Sequence, residues 1–77
     1  MSIIDETRSV IEAALPGAAV VVRGGGGHFE IEVTSEQFAG KRILERQRLV
    51  LSAIAPLMKG NDAPVHAVDT LVCKTPS

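Results

Sequence analysis

The segment His28-Phe29-Glu30-Ile31-Glu32-Val33-Thr34 decides the fold. Phe29, Ile31 and Val33 alternate with His28, Glu30, Glu32 and Thr34. Successive side chains of a strand point to opposite faces, so this pattern predicts a strand with one face buried and one in water. Immediately upstream lie four consecutive glycines, Gly24 to Gly27, and before them the short, β-branched run Ala18 to Arg23. Two strand signals joined by glycines predict a hairpin. Further downstream, Val65 to Val72 is again mostly β-branched or apolar and predicts a third strand.

The remaining segments read as helices. Ser2 to Leu15 has a good N-cap in Ser2, with Asp5 three residues on, and Ile4, Thr7, Ile11, Ala14 and Leu15 recur at helical spacing. Pro16-Gly17 ends it. Ser35 can cap a short turn through Phe38, stopped by Gly40. A longer helix is expected over about Lys41 to Lys59, with Ile43, Val50, Ile54 and Leu57 on a narrow arc and Leu44, Leu51 and Met58 beside it. Pro56 removes one helical hydrogen bond from the solvent side, so a bend or an early end is expected there. A turn is expected over Gly60 to Pro64. A strand, a helical crossover and a strand make a right-handed parallel connection. The expected fold class is α+β: a single domain over residues 1–77, in the order α-β-β-α-α-β, with helices on one face of a small three-stranded mixed sheet.

Composition narrows the function. Seventy-seven residues make one domain, and one of this size buries only roughly 60% of its unfolded surface. The core must be aliphatic, because Phe29 and Phe38 are the only aromatic residues among Phe, Tyr and Trp. Base-stacking platforms for single-stranded nucleic acid therefore have little support. The formal net charge is −1, which gives the chain as a whole no strong attraction for DNA or membrane. Cys73 is alone, which suits a reducing compartment. No basic segment precedes a long apolar run at the N-terminus, and no stretch approaches the ~18 apolar residues that span a membrane. A cytoplasmic protein with no membrane association is expected.

Enzyme chemistry fails on inventory. Asp69 and His66 are three apart on one predicted strand and so face opposite sides, Ser35 and Ser52 have no evident base, and Glu30 and Glu32 share a solvated face. A nucleophile, base and oxyanion constellation does not assemble, and no catalytic residue is assigned. The glycine run sits between two strands, whereas a phosphate cradle needs glycines between a strand and a helix. It reads as a flexible hairpin loop, or as a mobile one that closes on a partner or metal.

Two histidines remain. His28 stands where the glycine run enters the second strand, and His66 opens the third. Each alone is ordinarily a structural or exposed residue. Together they are too few for a closed zinc site, which takes four ligands. They can supply half of a site shared with another molecule. Cys73 would lie ~25 Å from His66 along the strand and reads as a small core or terminal residue. A separate feature is the basic start of the long helix, Lys41, Arg42, Arg46 and Arg48, which holds half of the chain's eight Lys and Arg residues. It is either a solvated face or a surface for phosphates or an acidic partner.

Several segments together resemble the BolA family, in particular its short IbaG-like members. They are Gly27-His28-Phe29-Glu30-Ile31, Val33, Phe38-x-Gly40-Lys41, Leu44-x-Arg46-Gln47-Arg48-Leu49-Val50, Pro56-Leu57-Met58 and Val65-His66-Ala67-Val68. The resemblance covers about half the chain and implies a fold like a class II KH domain. It also implies a partner, a monothiol glutaredoxin, and a two-iron two-sulfur (2Fe-2S) cluster shared with it and with glutathione, in iron–sulfur trafficking or in iron and stress regulation. His66 falls on the family's C-terminal histidine ligand. The second ligand comes from the loop between the first two strands, where Gly25 stands near the place of a cysteine in some members and His28 is this chain's candidate. After Val68 the chain runs about one residue out of step with the family pattern. The isolated chain is expected to hold no cofactor and to be a monomer or weak homodimer. The alternative implied function is a DNA-binding transcriptional regulator, which would use Lys41, Arg42, Arg46 and Arg48.

Overall fold

The computed structural model describes residues 2–60 and 63–76. Its elements follow from local chemistry. Helix α1 spans Ile3–Ala14, and the Ser2 hydroxyl accepts a hydrogen bond from the Asp5 amide at 3.1 Å. That contact satisfies one of the amides left open at a helix start. Strand β1 is Ala19–Gly25 and strand β2 is His28–Thr34, the latter with the predicted bounds. A one-turn 3-10 helix, Glu36–Phe38, is capped by the Ser35 hydroxyl. Helix α2 is Ile43–Ile54, a second 3-10 turn is Ala55–Leu57, and strand β3 is Ala67–Lys74.

The sheet order is β1-β2-β3, antiparallel between the first pair and parallel between the second. The mixed sheet and the parallel crossover are thus as expected. Phe29, Ile31 and Val33 of β2 are buried, while His28 and Glu30 are exposed. Helix α1 packs on β1 and on α2, and α2 packs on β3. Both helices therefore cover the same face. The core joins Ile11 and Leu15 of α1, Val22, Phe29, Ile31 and Val33 of the sheet, Phe38, Val50 and Ile54 of the helical segment, and Val65.

Four expectations need correction. First, the glycine run is not one loop. Gly24 and Gly25 pair with Phe29 and His28 in the ladder, which leaves Gly26 and Gly27 as a two-residue turn. Their φ values of +62° and +84° are the left-handed pair that a type I′ hairpin requires. Second, the element after β2 is a three-residue 3-10 turn, not an α-helix.

Third, α2 starts at Ile43, two residues later than expected, with Arg42 as its N-cap; its early end at Ile54, where the Pro56 segment tightens to 3-10, is the one expected. Val50 and Ile54 are buried as expected, but Ile43 and Leu44 of the first turn are 67% and 57% exposed. Fourth, β3 begins two residues later than expected. The Val65 amide donates to Leu57 O at 3.1 Å, so Val65 anchors to the end of the helical segment and fills the core from there. Within the expected turn Gly60 to Pro64, residues 61 and 62 lie outside the described residues.

Candidate histidine site at the sheet end

The β1–β2 turn and the start of β3 meet at one end of the sheet. The Gly27 carbonyl accepts two hydrogen bonds, from the His66 amide at 2.8 Å and from the Ala67 amide at 2.9 Å. Ala67 is in turn the β3 partner of His28. His28 and His66 are thereby brought to the same end of the sheet, both exposed, from positions 38 residues apart in the chain. The topology does this: a parallel β2–β3 pair places the two strand starts side by side.

Gly27 also shapes the site. A Cβ at this position would overlap the His66 side chain, whose ring Cγ and methylene Cβ lie 3.1 and 3.2 Å from where that atom would sit. The ring therefore occupies the space a side chain would fill, directly over the turn. No side-chain hydrogen bond holds the His66 ring among the described residues. Its main chain is clamped while its imidazole is uncommitted.

His28 differs. Its Nδ1 lies 3.3 Å from Oδ1 of Asp69, with the two side chains 62% and 56% exposed. Asp69 reaches His28 through an irregularity in β3. Phe29 pairs with Val68, but the next residue of β2, Glu30, pairs with Thr70, so Asp69 is an extra residue on the β3 side. This is a β-bulge, a device that re-aims a side chain. It falls where the sequence runs one residue out of step with the family pattern. Sequence reading had set Asp69 against His66, its neighbour in the chain. The useful signal was that one-residue offset, which marks the bulge.

The remaining candidates lie elsewhere. Lys41, Arg42 and Arg48 are exposed along the approach to and first turns of α2. Arg46 is half-buried: its Nε donates to Lys41 O at 3.0 Å, its Nη1 to Cys73 O at 3.4 Å, and its guanidinium sits 6.0 Å from the centre of the Phe38 ring. That side chain ties α2 to β3. Cys73 lies on β3, half-buried, and burial pushes its thiol above the ordinary range despite the nearby Arg46. A thiol so shifted is a poor ligand and nucleophile. Glu32 on the open face pairs with Lys74 at 2.8 Å, and the ammonium holds its carboxyl below the usual carboxylate range.

The sequence model of the BolA-like protein family matches residues 1–77. The chain belongs to the BolA-like family. Protein BOLA2 of Arabidopsis thaliana is 38% identical over 78 aligned positions, covering 91% of this chain and 80% of the relative. The structure of a bolA protein homologue from Coxiella burnetii superposes with a TM-score of 0.79 at 32% identity, over 99% of this chain and 94% of that one. The BolA domain of SufE1 from Arabidopsis thaliana superposes with a TM-score of 0.80 at 25% identity, over 99% and 94% of the two chains. The small α+β architecture is that of the BolA structures.

A two-iron two-sulfur cluster, the group the family resemblance suggests, can be tested against the residues present. Imidazole is an established ligand for such a cluster alongside thiolate. The sheet end offers one uncommitted imidazole over a glycine that leaves room for it, and a second whose Nδ1 is occupied and whose Nε2 is not. Among the described residues, no group of three or more His, Cys, Asp or Glu side chains is placed to hold a metal ion. The two imidazoles are of a ligand type that suits such a cluster and would make up part of its ligand set. Among the described residues, no helix is long and apolar enough to cross a membrane.

Proposed function

We propose that this BolA-like chain is an adaptor that pairs with a monothiol glutaredoxin and contributes His66 and His28 as ligands to a shared two-iron two-sulfur cluster, in iron–sulfur trafficking or iron and stress regulation. The observation that carries the reading is the sheet end itself. Two exposed histidines, distant in sequence, are brought by the strand pairing to one end of the sheet, beside a turn whose glycine leaves room for the His66 ring.

Each residue has a defined part. The Gly27 carbonyl fixes the backbone on both sides of the His66–Ala67 peptide, so the imidazole starts from a rigid base. Gly27 keeps the space beneath that ring clear. His28, on the paired strand, offers Nε2. When bound, a cluster with imidazole on one iron takes up an electron at a higher potential than an all-thiolate one. The glutaredoxin cysteine and a glutathione thiol would complete the ligand set. The chain supplies no thiolate at this end, and Cys73 stands at the other end of β3, beside Lys74.

The competing nucleic-acid reading has less support. Arg46, at the centre of its basic group, is spent on two backbone carbonyls, and Glu45 places its carboxylate 3.4 Å from the Arg42 amide within the same group.

The test is a titration of the colourless chain with cluster-loaded monothiol glutaredoxin and glutathione, read by visible absorption and circular dichroism. The spectrum of the cluster should change on mixing, and His66→Ala should abolish the change. An unaltered spectrum while wild-type chain and glutaredoxin demonstrably bind would remove the ligand assignment. If instead the chain binds DNA with an affinity that falls steeply with salt and weakens on Arg48→Ala, the nucleic-acid reading gains.

A further inference from the structure

We propose that Asp69 is a positioning residue for His28: through the β3 bulge it fixes the His28 imidazole in the tautomer that carries its proton on Nδ1 and leaves the Nε2 lone pair free for iron. The inference rests on the reading of His28 as a ligand in the shared site.

Three observations carry it. The first is the contact, Asp69 Oδ1 to His28 Nδ1 at 3.3 Å, between residues 41 apart in sequence. An ionised carboxylate can only accept a hydrogen bond, so this contact forms only when Nδ1 carries the proton. The other ring nitrogen is then the one with a lone pair to give. The second is how Asp69 comes to be there. The ladder runs in register from His28↔Ala67 to Phe29↔Val68, breaks for one residue, and resumes at Glu30↔Thr70. Bulges in parallel pairs are rare and disrupt pairing locally; this one carries the single residue that reaches the histidine. The third is exposure. Both side chains are more than half in solvent, where such a pair contributes little to stability. A stabilising role does not account for the bulge, whereas an orienting role does. Metal-ligating histidines regularly donate their second nitrogen to a carboxylate, and removing that partner typically costs 10–100-fold in metal affinity.

The experiment has two arms. In the first, the cluster-free chain is labelled with nitrogen-15 histidine and the ring nitrogens are read by long-range proton–nitrogen NMR at about pH 8.5, well above the ordinary imidazole range. His28 should be the Nδ1–H tautomer in the wild type and should shift toward Nε2–H in Asp69→Ala, with the thermal midpoint unchanged. In the second, wild type, Asp69→Ala, His28→Ala and His66→Ala are each titrated with cluster-loaded monothiol glutaredoxin and glutathione. Asp69→Ala should weaken formation of the shared species by about 10–100-fold, and His28→Ala should weaken it at least as much. A wild-type His28 in the Nε2–H form overturns the inference. So does an Asp69→Ala or a His28→Ala chain that titrates like wild type. If in those cases His66→Ala still abolishes the spectral change, the proposed function stands without Asp69. If the wild type itself binds glutaredoxin with no spectral change, the proposed function fails and the inference falls with it.

Discussion

Gly27 carries two demands at once: a left-handed φ of +84° and no side chain beneath the His66 ring. Gly27→Ala should therefore do two separable things. The left-handed backbone should cost about 1–2 kcal/mol, seen as a lowered unfolding midpoint. The new methyl should also push the His66 imidazole out of place, seen as a shift of its ring resonances, beyond what Gly26→Ala does at the neighbouring turn position. At this scale the placing of His66 and His28 at neighbouring strand starts was legible in the sequence, because both stand at the edges of strand-like runs. Gly27 was legible only as part of a glycine run. Its specific task depends on the ring of a residue 39 positions away, which no local pattern records. Asp69 was visible but was weighed against its chain neighbour His66, since the bulge that turns it toward His28 is a property of strand pairing.

The elements themselves were mostly legible. Alternation fixed β2 with its observed bounds, and the Ser2 and Ser35 caps marked two helical starts. What pattern did not settle was where strands begin, because β-branched residues serve equally in a strand or in a buried connection. Val65 looks like a strand residue and is instead a core residue held by Leu57. The sheet offers a check of its pairing through Glu32 and Lys74, a diagonal pair across β2 and β3 (Glu32 stands opposite Val72, and Lys74 opposite Thr34) whose side chains meet at 2.8 Å. The hydrogen bond and charge of Lys74 depress the Glu32 pKa in the folded state. A depressed carboxylate contributes stability above its unfolded pKa and loses that contribution as pH falls through the folded value. Carboxyl-carbon NMR should therefore find Glu32 titrating below an ordinary glutamate. Lys74→Ala should return it upward and remove the corresponding acid dependence of stability. An unchanged Glu32 titration in that variant would contradict the β2–β3 register.

For the whole molecule, size sets the terms. A 77-residue domain has little stability in reserve, and its core is centred on two phenylalanines, Phe29 and Phe38, both almost fully buried. Phe38→Ala should cost about 3–5 kcal/mol, a large share of the total, and denaturant titration should show much of the chain unfolded near physiological temperature. The fold brings two imidazoles to one sheet end and keeps its one thiol half-buried on β3, so under the proposed function the remaining ligands of the cluster would come from the glutaredoxin and glutathione. Fold class, strand pairing and family were within reach of the sequence; the partner is a matter between molecules, and a single chain records only its own face. The central claim, that a histidine of this chain binds iron in a shared cluster, is tested most directly by magnetic resonance on the reduced cluster. The unsubstituted chain, labelled with nitrogen-15 histidine, is mixed with unlabelled cluster-loaded monothiol glutaredoxin and glutathione, reduced, and examined by electron–nuclear double resonance. This account expects a strong nitrogen-15 hyperfine coupling from directly bound His66, lost on His66→Ala; a reduced cluster in the bound complex with no such coupling would contradict it.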